Sequence, residues 1–296
     1  MSAYQPPQRV ALVLHPRRPI DDALDAVQRW SADRGLDVVE IANAGWVDRD
    51  GIPPGEPQPR DLIVALGGDG TVLAALRASA RVEAPVLGAA CGSLGALTAV
   101  PADEVAAALD RVYTGEWTPR RLPALAIDRP SGAHHWAVND FVAVRHGAGQ
   151  LVGDVFVDGE LYVRLAGDGL IVATALGSSA YSMAAGGPVL ATGTPAFVFT
   201  PLAMHGGSAP PLVVPASSTM RVELHPGFAG FDIEIDGRNE AATELEFTIT
   251  IREDKVTLVS FGDAPMRLEM LRARGLIADS PRVLARDARV TMRQPT

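Results

Sequence analysis

The chain has 296 residues, 47% of them hydrophobic and 21% charged, and a formal net charge of −9. That balance suits a globular protein of one large or two medium domains; it argues against a general nucleic-acid binder, and no apolar run approaches the roughly 20 residues that cross a bilayer. The single cysteine, Cys91, excludes an internal disulfide and a Cys-based zinc site, and Met1 to Gln8 lacks the basic-then-apolar layout of a secretory signal, so a cytoplasmic protein is expected.

The N-terminal part alternates strand and helix. Val10 to Leu14 is apolar, Asp21 to Arg34 has helical spacing through Leu24, Val27 and Trp30, and Val38 to Ile41 is apolar again. Asp21 or Asp22 is expected to cap the helix start and Gly35 its end. Gly45 to Arg60, rich in Gly, Pro and charge, reads as a mobile loop over a site or as a solvated connection. The buried run Leu62 to Leu66 leads into Gly67-Gly68-Asp69-Gly70-Thr71 and a helix-like segment to Ala80. A further strand at Pro85 to Gly88 precedes a second glycine-rich turn, Gly92-Ser93-Leu94-Gly95, and a helix from Ala102 to Tyr113 closes this part. Two such turns at strand ends suggest one crevice.

From about Trp117 the helical spacing gives way to closely spaced β-runs. These are Leu122 to Ile127, Trp136 to Val144, Gly153 to Val157, Leu161 to Leu165, Leu170 to Ala173, Ala196 to Thr200, Met220 to Leu224, Phe231 to Ile235, Glu246 to Ile251 and Val256 to Ser260. Asp158-Gly159 is a hairpin signal. The fold class expected is therefore an α/β, Rossmann-like N-terminal domain with a parallel sheet, followed by an all-β, sandwich-like domain. The boundaries read as 1–116, 117–264 and a tail over 265–296 that packs back on the body, with helical spacing from Pro265 to Gly275.

Gly67 to Thr71 carries the chemistry. Glycines between a strand and a helix can take positive φ and let a phosphate approach the main chain, while the helix start offers N–H groups and its positive dipole end. Asp69 is the odd member: a carboxylate repels phosphate unless a metal lies between them or the acid takes a proton from an incoming hydroxyl. Both exceptions describe phosphoryl transfer. Lys255 is the only lysine, which removes the Walker A loop and the strand lysine of protein kinases. Backbone amides, arginine and a metal must then hold the phosphates. A capping role for Asp69 is the competing reading.

Four blocks, in order, resemble the NAD kinases. They are Gly67 to Thr71; Gly92 to Gly95 within Gly88 to Thr98; Asn139-Asp140; and Gly167-Asp168-Gly169 to Thr174, running into Gly177 to Ser182 and Ala185 to Pro188. Echoes occur at His205 and Asp236-Gly237, so the likeness covers roughly Val10 to Phe261. The first block is shared with lipid kinases and phosphofructokinases; the fourth is long and more specific.

The resemblance implies ATP-dependent phosphorylation of the adenosine 2′-hydroxyl of NAD, giving NADP, with Asp69 as general base and Gly67, Gly68, Gly70 and Thr71 on the phosphates of ATP. It implies an NAD pocket of Asp69, Gly70, Asn139, Asp140, Asp168, Thr174, Ser179, Ala180, Tyr181, Ser182 and Arg238. Mg²⁺ would arrive with ATP and keep several waters, no metal cage is assigned, and a homodimer or homotetramer is expected, with neither nucleic acid nor membrane as partner. Departures lie at Ala175 and Leu176, where the family usually has proline and threonine, at Ala90 and Ala96, and at Arg238 in place of a frequent glutamine. They are expected to alter the acceptor pocket. A related kinase acting on another hydroxyl, lipid or nucleoside compound, and a non-catalytic nucleotide sensor are the alternatives.

Overall fold

The computed structural model describes residues 4–42, 52–225, 230–241, 244–262, 271–272 and 275–291. Residues 1–262 form one compact unit and 263–296 a second. In the first unit, β1 (Arg9–Leu14), α1 (Asp21–Ala32), β2 (Asp37–Glu40), β3 (Asp61–Gly67), α2 (Asp69–Ser79), β4 (Val86–Ala90), the short β5 (Val100–Pro101) and α3 (Val105–Thr114) make the α/β part. β1 pairs in parallel with both β2 and β3, and β3 with β4.

Alternation along the strands explains why helices cover both faces. Val10, Leu12 and Leu14 pack with α1 and α3 residues such as Val27, Trp30 and Leu109. Ala11 and Val13 face the other way, toward Val72, Ala75 and Leu76 of α2. A paired Arg9 and Asp61, at 2.9 and 2.7 Å, ties the starts of β1 and β3 together. α1 begins after Ile20, with Asp21 and Asp22 inside its first turn rather than at the cap, and its C-cap is Asp33 rather than Gly35. Gly35 follows in the left-handed region, with φ of 63°.

The remaining strands are β6 (Thr118–Asp128), β7 (His134–Ala137), β8 (Asp140–Arg145), β9 (Leu151–Val157), β10 (Glu160–Gly167), β11 (Gly169–Thr174), β12 (Ala196–Leu202), β13 (Leu212–Pro215), β14 (Met220–His225), β15 (Phe231–Ile235), β16 (Arg238–Glu240) and β17 (Glu246–Ser260). Among the described residues, the helical segments between these strands are the 3-10 turn Gly177–Ser179 and the four-residue α4 (Tyr181–Ala184). One sheet runs β13-β12-β11-β8-β15-β16. Its inner face, with Phe141, Val172, Phe197 and Ile233, packs on Leu125, Val155, Val222 and Phe247 of the other sheet, which makes the sandwich.

That other sheet continues into the α/β part. β17 pairs antiparallel with β14 and β6 and meets β4 in parallel at Leu258↔Val86, so one eleven-stranded sheet runs through both halves. Two expected strands, Glu246 to Ile251 and Val256 to Ser260, are one strand with an irregularity between Arg252 and Val256. The reverse holds for Trp136 to Val144, which is two strands because the turn at Val138-Asn139 is held by hydrogen bonds described below. Asp158 and Gly159, at φ of 51° and 86°, make the hairpin turn read from the sequence. In the second unit α5 (Pro281–Thr291) is helical; most of Pro265 to Gly275 lies outside the described residues.

Candidate active site

Strand order locates the crevice. The chain passes from β1 to β2 on one side and returns to place β3 on the other side of β1, so the loops leaving the carboxyl ends of β1 and β3 diverge. A recess of about 330 Å³ opens there, lined by His15 and Arg18 after β1, by Gly68, Asp69, Gly70 and Thr71 after β3, by Arg77, and by Asp236 and Arg238 from the β15–β16 hairpin. His15 and Arg18 were missed by motif reading. Their signal was positional: they follow the first parallel strand, where such sheets bind ligands.

The glycine motif works by close approach rather than by left-handed backbone. Gly68 is extended, at φ −118° and ψ −168°, and neither it nor Gly67 nor Gly70 takes positive φ. A Cβ on Gly67 would collide with the Thr71 hydroxyl, and one on Gly68 would press the Arg18 guanidinium. Gly92 does need its glycine, with φ of 138°. Arg18 donates to the Cys91 carbonyl at 3.1 Å and lies against both Gly68 and Gly92, bringing the two glycine turns together.

Asp69 opens α2 but makes no cap for it; the N-cap is Gly68, without a side-chain cap bond. Its carboxylate instead accepts the N–H groups of Ala96 at 3.1 Å and Leu97 at 2.9 Å, across the second glycine turn. A Cβ on Gly95 would strike this carboxylate. These two bonds orient the carboxylate at the edge of the recess. Thr71 is buried and its N–H goes to the Gly68 carbonyl at 2.9 Å, so it supports the turn from behind.

A second corner is built around Asp236, held by the β15–β16 hairpin at φ 51°. Its carboxylate accepts the N–H groups of Val138 at 3.0 Å, Asn139 at 2.6 Å and Asp140 at 3.2 Å. Thr174, at the end of β11, donates its hydroxyl to the Val138 carbonyl at 2.7 Å and its N–H to that of Asn139 at 2.9 Å. Asn139, Asp140, Thr174 and Asp236 thus form one cluster. Asp140 is buried, and burial first, then the neighbouring Asp236 and Glu234 charges, push its carboxyl up to about 7.

The fourth block is divided by the strand that carries it. Asp168 precedes β11 and Thr174 ends it, a separation of about 20 Å along extended chain. Asp168 is bound there by Arg145 at 2.6 Å, with His205 at 3.4 Å, and it does not line the Asp69 recess. Arg145 holds its carboxyl below the usual carboxylate range. Ser179 is half-buried and Ala180 exposed, and Tyr181 is 45% exposed. Ser182 is fully buried, its hydroxyl 2.9 Å from that of Thr200.

Leu176 corrects an expectation. It is buried in the core with Val72, Leu97 and Val138 and does not line the recess, so the altered residue fills space behind the pocket. Ala90 is likewise buried at the end of β4. Arg238 alone among these departures reaches the recess. Of the expected loop, 45–51 lies outside the described residues; Gly55 donates to the Glu40 carbonyl at 2.9 Å, which ties the described part to β2.

Hard oxygen donors line the recess at Asp69 and Asp236, the type Mg²⁺ accepts alongside phosphates and water. Among the described residues the one group of three convergent ligands is elsewhere, at Asp154, Glu223 and His225 on β9 and β14.

The ATP-NAD kinase N-terminal domain pattern matches residues 48–117 and the ATP-NAD kinase C-terminal domain pattern residues 139–258. The chain belongs to the NAD kinase family. The NAD kinase of Koribacter versatilis is 34% identical over 242 residues, 77% of this chain and 84% of that one, and that of Solibacter usitatus 37% identical over 194 residues, 64% and 68%. The fold is shared with a yeast NADH kinase complexed with NADH (TM-score 0.75, 22% identity, 93% of this chain and 89% of that one). It is shared too with an Archaeoglobus fulgidus NAD kinase in complex with ATP (TM-score 0.66, 24% identity, 89% and 98%).

Proposed function

We propose that this chain uses ATP to phosphorylate the adenosine 2′-hydroxyl of NAD, with Asp69 as the base. Membership of the family supports the reaction, and the observation that carries Asp69's part in it is the placement of its carboxylate at the head of α2, oriented by two backbone N–H groups and facing a recess lined by Arg18, Arg77 and Arg238. Those arginines and the first turn of α2 supply the positive field that the missing lysines would otherwise give.

Asp69 accepts the hydroxyl proton as the hydroxyl oxygen bonds to the γ-phosphorus of ATP, while the bond from this phosphorus to the β–γ bridging oxygen breaks and ADP leaves. A nucleotide-borne Mg²⁺, when bound, neutralises charge on the phosphates. Asn139 and the Thr174 corner present an amide and carbonyls to the adenosine, Ser179, Ala180 and Tyr181 offer a stacking face, and Gly67 and Thr71 act through the shape of the turn. Asp168 is too far along β11 to serve the same recess, so a second copy of the chain is proposed to bring it, as a homodimer or homotetramer. A cytoplasmic location accords with the free, buried Cys91. Among the described residues no helix is long and apolar enough to cross a membrane.

Purified protein incubated with NAD, ATP and Mg²⁺ should form NADP. Binding of both nucleotides without any NADP would overturn the catalytic reading and leave a sensor.

A further inference from the structure

A smaller recess of about 160 Å³ adjoins the first. Ala74, Arg77 and Arg238 line both, and Ile41, Glu56, Ala78 and Arg81 complete its wall. Three arginines face it against one carboxylate. Such an arrangement is costly unless something anionic enters: burial, with Arg81 as a like-charged neighbour, pushes Arg77 below the usual guanidinium range even though Asp236 and Glu240 act the other way. Burial and Arg77 do the same to Arg238, against Glu240. One Nη atom of Arg238 is buried without a hydrogen-bond partner among the described residues. Arg77 spends one donor on the Ile235 carbonyl at 3.2 Å, which fixes its fork toward the hairpin.

Size and chemistry narrow the occupant. The volume is below the roughly 300 Å³ that a nucleoside-sized ligand needs, and guanidinium forks match phosphate oxygens in pairs. We propose that this recess is a phosphate-group site, in which Arg77, Arg81 and Arg238 hold an orthophosphate or diphosphate moiety, either free or as the phosphate end of a nucleotide seated next door. The assignment goes beyond the kinase reading and does not depend on turnover.

Arg81 gives the clean test, because it is exposed and lines only the smaller recess. Pyrophosphate is titrated calorimetrically into the full chain and into Arg81→Ala and Arg81→Glu, with thermal unfolding checking that each variant folds. Affinity should fall about tenfold for alanine and further for glutamate. No measurable binding to the wild type, or equal affinity in Arg81→Glu, overturns the proposal. Repeating the wild-type titration with saturating ATP separates the sources. Loss of pyrophosphate binding assigns the site to the nucleotide's phosphate end, and binding beside ATP assigns it to the free anion.

Discussion

Two aspartates accept backbone N–H groups at the two corners of this molecule, and their settings differ. Asp69 sits where two glycine turns meet at the ends of parallel strands, and it lines the recess while accepting two N–H groups from the second turn. Asp236 sits at the wall where a hairpin meets the Asn139 turn, and its three bonds knit main chain from β8 and β15. The first corner borders the recess; the second holds main chain together. The same side chain therefore reads as chemistry in one place and as architecture in the other, according to what surrounds it.

The comparison breaks most directly at Asp69. Asp69→Asn keeps the size but exchanges one of the two accepting oxygens for an NH2 that can neither accept an N–H nor take the proton, so kcat for NADP formation should fall about 10³-fold with Kd for NAD nearly unchanged. A variant of near-normal rate would make the residue merely structural.

Asp236→Ala should act on stability instead. It strands three N–H groups and should cost about 3 kcal/mol in chemical unfolding, where Asp69→Asn, which strands one, costs about 1 kcal/mol. Equal losses for the two would erase the distinction.

Asp140 sharpens the second corner through pH. Its folded carboxyl titrates near 7, above the 3.8 of a free aspartate, so the native state holds the proton more tightly. Stability conferred by that proton is present at low pH and is lost as pH rises from about 4 to 7. Asp140→Asn should remove this slope and be more stable than wild type at pH 8 by on the order of 4 kcal/mol, measured from unfolding midpoints across pH.

Arg18→Ala has the smallest expected effect. Loss of the guanidinium between Gly68 and Gly92 should raise KM for ATP about tenfold with little change in unfolding. An unchanged KM would remove Arg18 from phosphate binding.

Much of the architecture was legible in the residues. Continuous apolar runs marked β1 and β3 and an alternating one β15, Asp158-Gly159 marked a hairpin, and the loss of helical spacing after Trp117 marked where helices give way to strands. What escaped were features made by distant contacts. The Asp236 carboxylate interrupts the run Trp136 to Val144, which local pattern reads as one strand, and Leu176 faces the core because β11 ends there in a turn that buries it.

By itself, the sequence determined the chemistry available at the first corner: an aspartate among glycines at a strand end, and almost no lysine, leave arginine and backbone amides to hold phosphate. Tertiary structure alone decided which residues share the recess. It brought Arg18, Arg77 and Arg238 to Asp69 and carried Asp168 away along β11, because a strand advances about 3.3 Å per residue whatever motif it bears. Proximity along the chain measures that motif; proximity in the sheet makes the site.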